Sequence, residues 1–143
     1  METPDAVERL WRDVKAKVVA LPPAELEFLE HLFVVALAGA VEAALKDHMG
    51  HRRRRRDALY REFSVLKKRY GSVKNVPVED ILDAWKRARG IGGREVGAYK
   101  QVLQVRHWAA HGRTWPVKPL LPFEVCWHRW SVLALELGYP WSA

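Results

Sequence analysis

PAELEFLEHLFVVALAGAVEAALKDHM, residues 23–49, is the stretch on which the fold turns. Pro23 suits the first helical position, where its missing N–H goes unused, and Glu25 and Glu27 complement the positive end of the helix dipole. From Phe28 to Leu45 the residues are almost continuously apolar, which a helix in water tolerates only when several of its faces are buried. Gly50 follows, where a helix-ending glycine would stand. The longest apolar run, Leu32 to Val41, reaches Leu45 only across Glu42 and falls short of the roughly 20 residues that span a bilayer. The expectation is a buried central helix around which the rest of the chain is wrapped.

The flanking sequence supplies the wrapping. Upstream, Pro4 and Asp5 open a helical pattern in which Val7, Leu10, Trp11, Val14, Val18 and Leu21 recur every three or four residues as far as Pro22. Downstream, a third helix is expected from the arginine run through Leu59, Phe63 and Leu66 to Tyr70, closed by Gly71. Pro77, with Glu79 and Asp80 behind it, starts a fourth whose apolar face carries Ile81, Leu82, Trp85 and Ala88, and which stops near Gly90. The Gly90-Ile91-Gly92-Gly93 stretch is too flexible for a helix interior, and Val96, Tyr99, Val102, Leu103 and Val105 then mark a fifth helix carrying on toward His111. Pro116, Pro119 and Pro122 make a loop before a last helix through Val125, Trp127, Trp130, Leu133, Leu135 and Leu137 to Gly138. No period-two alternation argues for a strand, so the fold class is all-α.

At 143 residues and 49% hydrophobic, the chain is sized for one domain with one core, residues 1–143 together. Cys126 is its only cysteine, which excludes a disulfide framework and a thiolate metal cluster. The opening METPDAVERLWRDVK lacks the apolar segment of a secretory signal, so a cytoplasmic location without a membrane partner is expected. Of the net charge of +7, five come from Arg52, Arg53, Arg54, Arg55 and Arg56. Such a local block attracts phosphates, because each neutralised phosphate releases counterions whatever the base sequence. RNA is the natural partner, and a solvated helix start that merely keeps the protein soluble is the bland alternative.

The chemistry is concentrated in Tyr99 to Trp115. On a helix His107 and His111 lie one turn apart on one face, with Arg106 offset by about 100° from His107. An arginine fork holds a phosphate by two hydrogen bonds, and an imidazole exchanges a proton near neutral pH. Together they suit phosphodiester cleavage without a metal or other cofactor. The same residues admit a two-histidine metal site, which here lacks an acidic companion, or a plain helix end with His111 and Gly112 terminating it.

The string Arg106-His107-Trp108-Ala109-Ala110-His111, followed by Gly112 and Arg113, resembles the Arg-polar-x-x-x-His motif of HEPN domains, helical bundles common in prokaryotic toxin, defence and RNA-processing systems. Chain length, the all-helical pattern, the long apolar second helix and the late position of the motif are similar too. The likeness covers most of residues 5 to 137, though the amino-terminal half matches in pattern only.

The resemblance implies an up-and-down bundle of five or six helices and a metal-independent endoribonuclease that leaves a 2′,3′-cyclic phosphate. It implies that Arg106 stabilises the phosphorane, that His111 is the general acid or base, and that His107 orients the pair or binds phosphate. It also implies a homodimer with the site at its two-fold interface, and for a toxin an antitoxin protein as partner.

Three further expectations attach to this segment. Glu42, a carboxylate in an apolar run, needs a partner and could hold Arg106 in place, or could sit at the edge of the buried face. Arg113 is a candidate second phosphate contact. Trp108 and Trp115 are expected at an interface, under a stacked base or in the core, and Trp127 and Trp130 in the core. Beside the enzyme stand two other readings: a non-catalytic module binding RNA, a nucleotide or a protein, and a structural subunit docked through its tryptophans.

Overall fold

A computed structural model describes residues 3–18, 20–52, 56–110 and 121–141. Among these the chain is an all-α bundle of six helices: α1 (Pro4–Lys17), α2 (Pro23–His51), α3 (Ala58–Tyr70), α4 (Val78–Arg89), α5 (Gly93–Ala110) and α6 (Phe123–Leu137). A single 3-10 turn, Val73–Asn75, joins α3 to α4. The central helix is α2, which packs against α1, α4, α5, α6 and the 3-10 turn. Val34, Leu37, Ala38, Val41 and Leu45 are wholly buried along it.

The helix is 29 residues long and one 18-residue window averages a hydropathy of 1.8, enough by length and composition to cross a membrane. The expectation that its apolar run is too short is therefore corrected: neither Gly39 nor Glu42 interrupts the helix. Burial separates the faces instead. Phe28 and Leu32 remain 51% and 50% exposed.

Local chemistry sets the helix ends. Thr3 accepts the Ala6 N–H to cap α1, which stops at Lys17 rather than reaching Pro22. Gly50 lies inside α2 and not beyond it, since the helix continues to His51. The largest departure is at α3. The arginine run is not its first turn; Asp57 caps it, accepting the Tyr60 N–H at 3.0 Å, so Arg52 and Arg56 belong to the connection from α2. Gly90 and Gly138 end α4 and α6 at φ +65° and +74°, a left-handed conformation that costs a residue with a Cβ about 1 kcal/mol.

Aromatic rings tie five helices together in one chain of contacts. Tyr99 of α5 meets Trp130 of α6 at 5.9 Å, Trp130 meets Tyr139 at 5.3 Å, and Tyr139 meets Trp141 at 5.2 Å. Trp141 then stacks on His48 of α2 at 4.1 Å, His48 on Trp85 of α4 at 5.3 Å, and Trp85 meets Phe63 of α3 at 6.1 Å. Trp130 is core as expected, whereas Trp127 is half-buried.

Burial in this stack lowers the His48 pKa to about 4, with Arg52 and Arg89 adding to the effect and Asp47 opposing it. In the unfolded chain the ring takes a proton near pH 6.5, so the native state binds fewer protons below that pH. Stability should fall as pH drops from 6.5 toward 4, by about 1–2 kcal/mol once the partial exposure of the ring is allowed for. Urea titrations at several pH values check this: the slope should flatten in His48→Phe, and an unchanged slope in that variant would assign the loss to other groups.

Candidate functional site

The packing of α5 on α2 brings Arg106 of the motif against Glu42 of the central helix. Arg106 donates from its Nη2 to Oε1 of Glu42 at 3.0 Å, across 64 residues of sequence. The other carboxylate oxygen lies 3.4 Å from Nζ of Lys46, one turn on, and that ammonium also donates to the Lys74 carbonyl at 2.8 Å. The three side chains are 20–30% exposed, reachable from solvent yet held in place. Burial pushes the Glu42 carboxyl up, but the hydrogen bond and charge of Arg106, with Lys46, outweigh it and hold the group below the usual carboxylate range.

Tyr99 lies two turns before Arg106 on the same face, wholly buried. Its hydroxyl has no hydrogen-bond partner among the described residues, and burial raises its pKa. Arg106 and Glu42 are within electrostatic reach of it.

His107, one residue on, points elsewhere. Its Nε2 lies 3.4 Å from Oε1 of Glu79, in the first turn of α4, and its side chain is half exposed. The 100° step expected between Arg106 and His107 sends one side chain to Glu42 of α2 and the other to Glu79 of α4, so the two do not share a partner. Trp108 is 5% exposed with its ring edge-on to His31 at 5.3 Å, which places it inside the protein and withdraws it from base stacking or an exposed interface.

Compared with protein-family models, curated proteins and solved structures, the chain matches none.

His111, Arg113 and Trp115 lie outside the described residues, as do Arg53, Arg54 and Arg55. The first residue of the arginine run departs from a uniformly solvated block. Arg52 is 16% exposed and donates to Oδ2 of Asp57 at 2.7 Å, an oxygen that Arg89 of α4 also reaches at 2.7 Å, while Arg56 is exposed. Arg52 is therefore a structural clamp between α2, α3 and α4. Among the described residues no three histidine, cysteine or acidic side chains gather as a metal-ligand set. Burial pushes the Cys126 thiol up to about 12, so it supplies no thiolate at neutral pH.

Sequence reasoning passed over Lys46, Tyr99 and Glu79. Glu42-x-x-x-Lys46 is a readable one-turn ion pair. Nothing in the sequence links His107 to Glu79, because that contact depends on how α4 packs against α5. A groove of about 440 Å³ between α1 and α6, lined by Trp11, Phe123 and Trp127 with Arg12 and Lys15 at its rim, shares no residue with the Arg106 site.

Proposed function

We propose that the chain is a metal-independent endoribonuclease of HEPN type, acting as a toxin or defence effector. The observation that carries this is the held arginine. Arg106, the first residue of the motif, is oriented by Glu42 and flanked by Lys46 on an accessible surface, which is how a phosphate-binding fork is set up before substrate arrives. Unlike a structural salt bridge that fastens two buried faces, this pair leaves the guanidinium partly in solvent.

In the proposed reaction O2′ of the ribose attacks the adjacent phosphorus while the bond from phosphorus to O5′ breaks, leaving a 2′,3′-cyclic phosphate and a 5′-hydroxyl. Arg106 neutralises the two non-bridging oxygens of the phosphorane, and Lys46 adds a second positive charge one helical turn away. His111 takes the 2′ proton or returns one to O5′, and His107, turned toward Glu79, contacts a neighbouring phosphate. The HEPN resemblance further implies that two copies face each other across the cleft, and that an antitoxin protein holds the enzyme silent.

Incubating the protein with total RNA in EDTA tests the reading, wild type beside His111→Ala and Arg106→Ala. Cleavage that survives chelation and disappears in both variants is the expected result, together with light scattering near twice the 16.5 kDa chain mass. RNA left intact but retarded on a gel would replace the enzyme with a non-catalytic RNA-binding module.

A further inference from the structure

Two arginines from different elements meet on one carboxylate oxygen where the ends of α2 and α4 reach the start of α3. Arg52, the residue that caps the end of α2, and Arg89, the last residue of α4, each donate from Nη2 to Oδ2 of Asp57 at 2.7 Å. The other oxygen of Asp57 accepts the Tyr60 N–H. Two guanidinium charges against this one carboxylate leave a positive charge in excess. His48, in the last turns of α2, feels both arginines, and the carboxylate it also feels, Asp47, is 75% exposed and lies 3.2 Å from Nδ1 of His51.

Donors outnumber acceptors at this corner. The Arg52 side chain is only 16% exposed, and its Nε is buried without a hydrogen-bond partner among the described residues. His48 stacks on Trp85 at 5.3 Å, and Nδ1 of the one and Nε1 of the other are likewise buried and unpartnered. A buried guanidinium N–H without an acceptor is costly, and a charged acceptor answers it best. Asp57 and Arg89, at 31% and 39% exposure, leave a way in from solvent. A planar carboxylate matches one arginine fork, whereas a phosphate carries three strong acceptor oxygens on a tetrahedron and can accept from two forks at once.

We propose that this corner is a phosphate site, in which one phosphate group bridges Arg52 and Arg89 and accepts the Nε–H of Arg52. The recognition reads the anion and not what carries it, so the ligand is inorganic phosphate or a small phosphate monoester. The site shares no residue with the Arg106, Glu42 and Lys46 cluster, and the inference does not depend on the ribonuclease reading. Bound phosphate adds a second bridge between the ends of α2 and α4 beside Asp57, so occupancy stabilises the fold by mass action. In the sequence Arg52 reads as one of a run of five; in the fold its working neighbour is Arg89, from another helix.

Titration with inorganic phosphate at constant ionic strength, chloride being the balancing anion, tests the proposal when the His48 ring is followed by NMR. Its signals should shift saturably, with half-saturation at about 1 mM or below, the affinity that two or three charge-assisted hydrogen bonds supply. The protonation midpoint of the ring, held at about 4 by burial and by both arginines, should rise once phosphate offsets their charge. Arg89→Gln should weaken binding at least about tenfold, and Arg52→Lys, which keeps the charge but loses the Nε–H, should do the same. Circular dichroism without phosphate separates loss of binding from loss of fold, and if Arg52→Lys does not fold, Arg89→Gln decides. A parallel titration with 5′-AMP distinguishes the sources: an equal or tighter response assigns a nucleotide phosphate, and a response to inorganic phosphate alone assigns the free ion. A His48 shift that never saturates, that chloride reproduces, or that persists undiminished in the folded variants would overturn the proposal.

Discussion

Trp130→Ala should destabilise the fold by about 3–5 kcal/mol, the range for deleting a buried indole. The ring is 1% exposed and lies between Tyr99 at 5.9 Å and Tyr139 at 5.3 Å, so its loss opens a void where α5, α6 and the carboxyl-terminal residues meet. For a domain whose total stability is about 5–15 kcal/mol, this is a large share, equivalent to a drop of roughly 10 °C or more in melting temperature. Urea denaturation followed by circular dichroism measures it, and Leu135→Ala, at an 82% exposed position of the same helix, serves as the control that should stay within about 0.5 kcal/mol. A loss below about 1 kcal/mol in Trp130→Ala would mean that α6 is held by other contacts.

On the proposed ribonuclease reading, Arg106→Ala should lower the rate of RNA cleavage by about 10²–10³, the usual consequence of removing one preorganised charge from a transition state. Arg106→Lys should recover little, because an ammonium cannot present the planar fork that both Glu42 and a phosphate engage. Glu42→Gln separates orientation from charge. It keeps an oxygen that can accept from Arg106 but removes the ionic clamp, so a smaller fall is expected, in kcat rather than KM. A purely structural pair would behave otherwise: melting temperatures would fall in all three variants while the rate per folded molecule stayed the same. Replacing Arg106 should also return the Glu42 carboxyl toward or above its ordinary range, since burial then acts against Lys46 alone. In the wild type the contribution of this pair is present above the ordinary carboxylate pKa and fades as pH falls through the lowered one.

How legible these features were in the sequence depended on the range of the interaction that fixed them. The bounds of α4 could be read directly, because Pro77, the acids Glu79 and Asp80 and the left-handed Gly90 act within their own turns. The start of α3 could not. A run of arginines satisfies helical periodicity and also suits a linker, and Asp57 decides between them by capping the helix from inside the charged stretch. Gly50 resembled a terminator, yet a glycine ends a helix only by taking a left-handed conformation, and here it stays helical.

The site divides in the same manner. A carboxylate in the apolar run of α2 left two readings open, a pair with Arg106 or a place at the edge of the buried face; the structure places the pair 3.0 Å apart with Glu42 partly exposed. The divergence of His107 toward Glu79 and the burial of Trp108 depend on the rotation of α5 between α2 and α4, which no local pattern encodes.

The position of α2 early in the chain has a consequence for synthesis. Its buried face, Phe33 to Leu45, is covered largely by α5 and α6, which come from residues 93–137. At ordinary elongation rates the ribosome needs roughly 4–17 s to make the residues between the end of α2 and the end of α6. Until α5 and α6 arrive, this 29-residue helix has α1, the 3-10 turn and α4 to lie against. During synthesis the chain therefore carries a helix apolar and long enough to match a membrane span, and its exposed face shrinks in steps as α4, α5 and α6 are added.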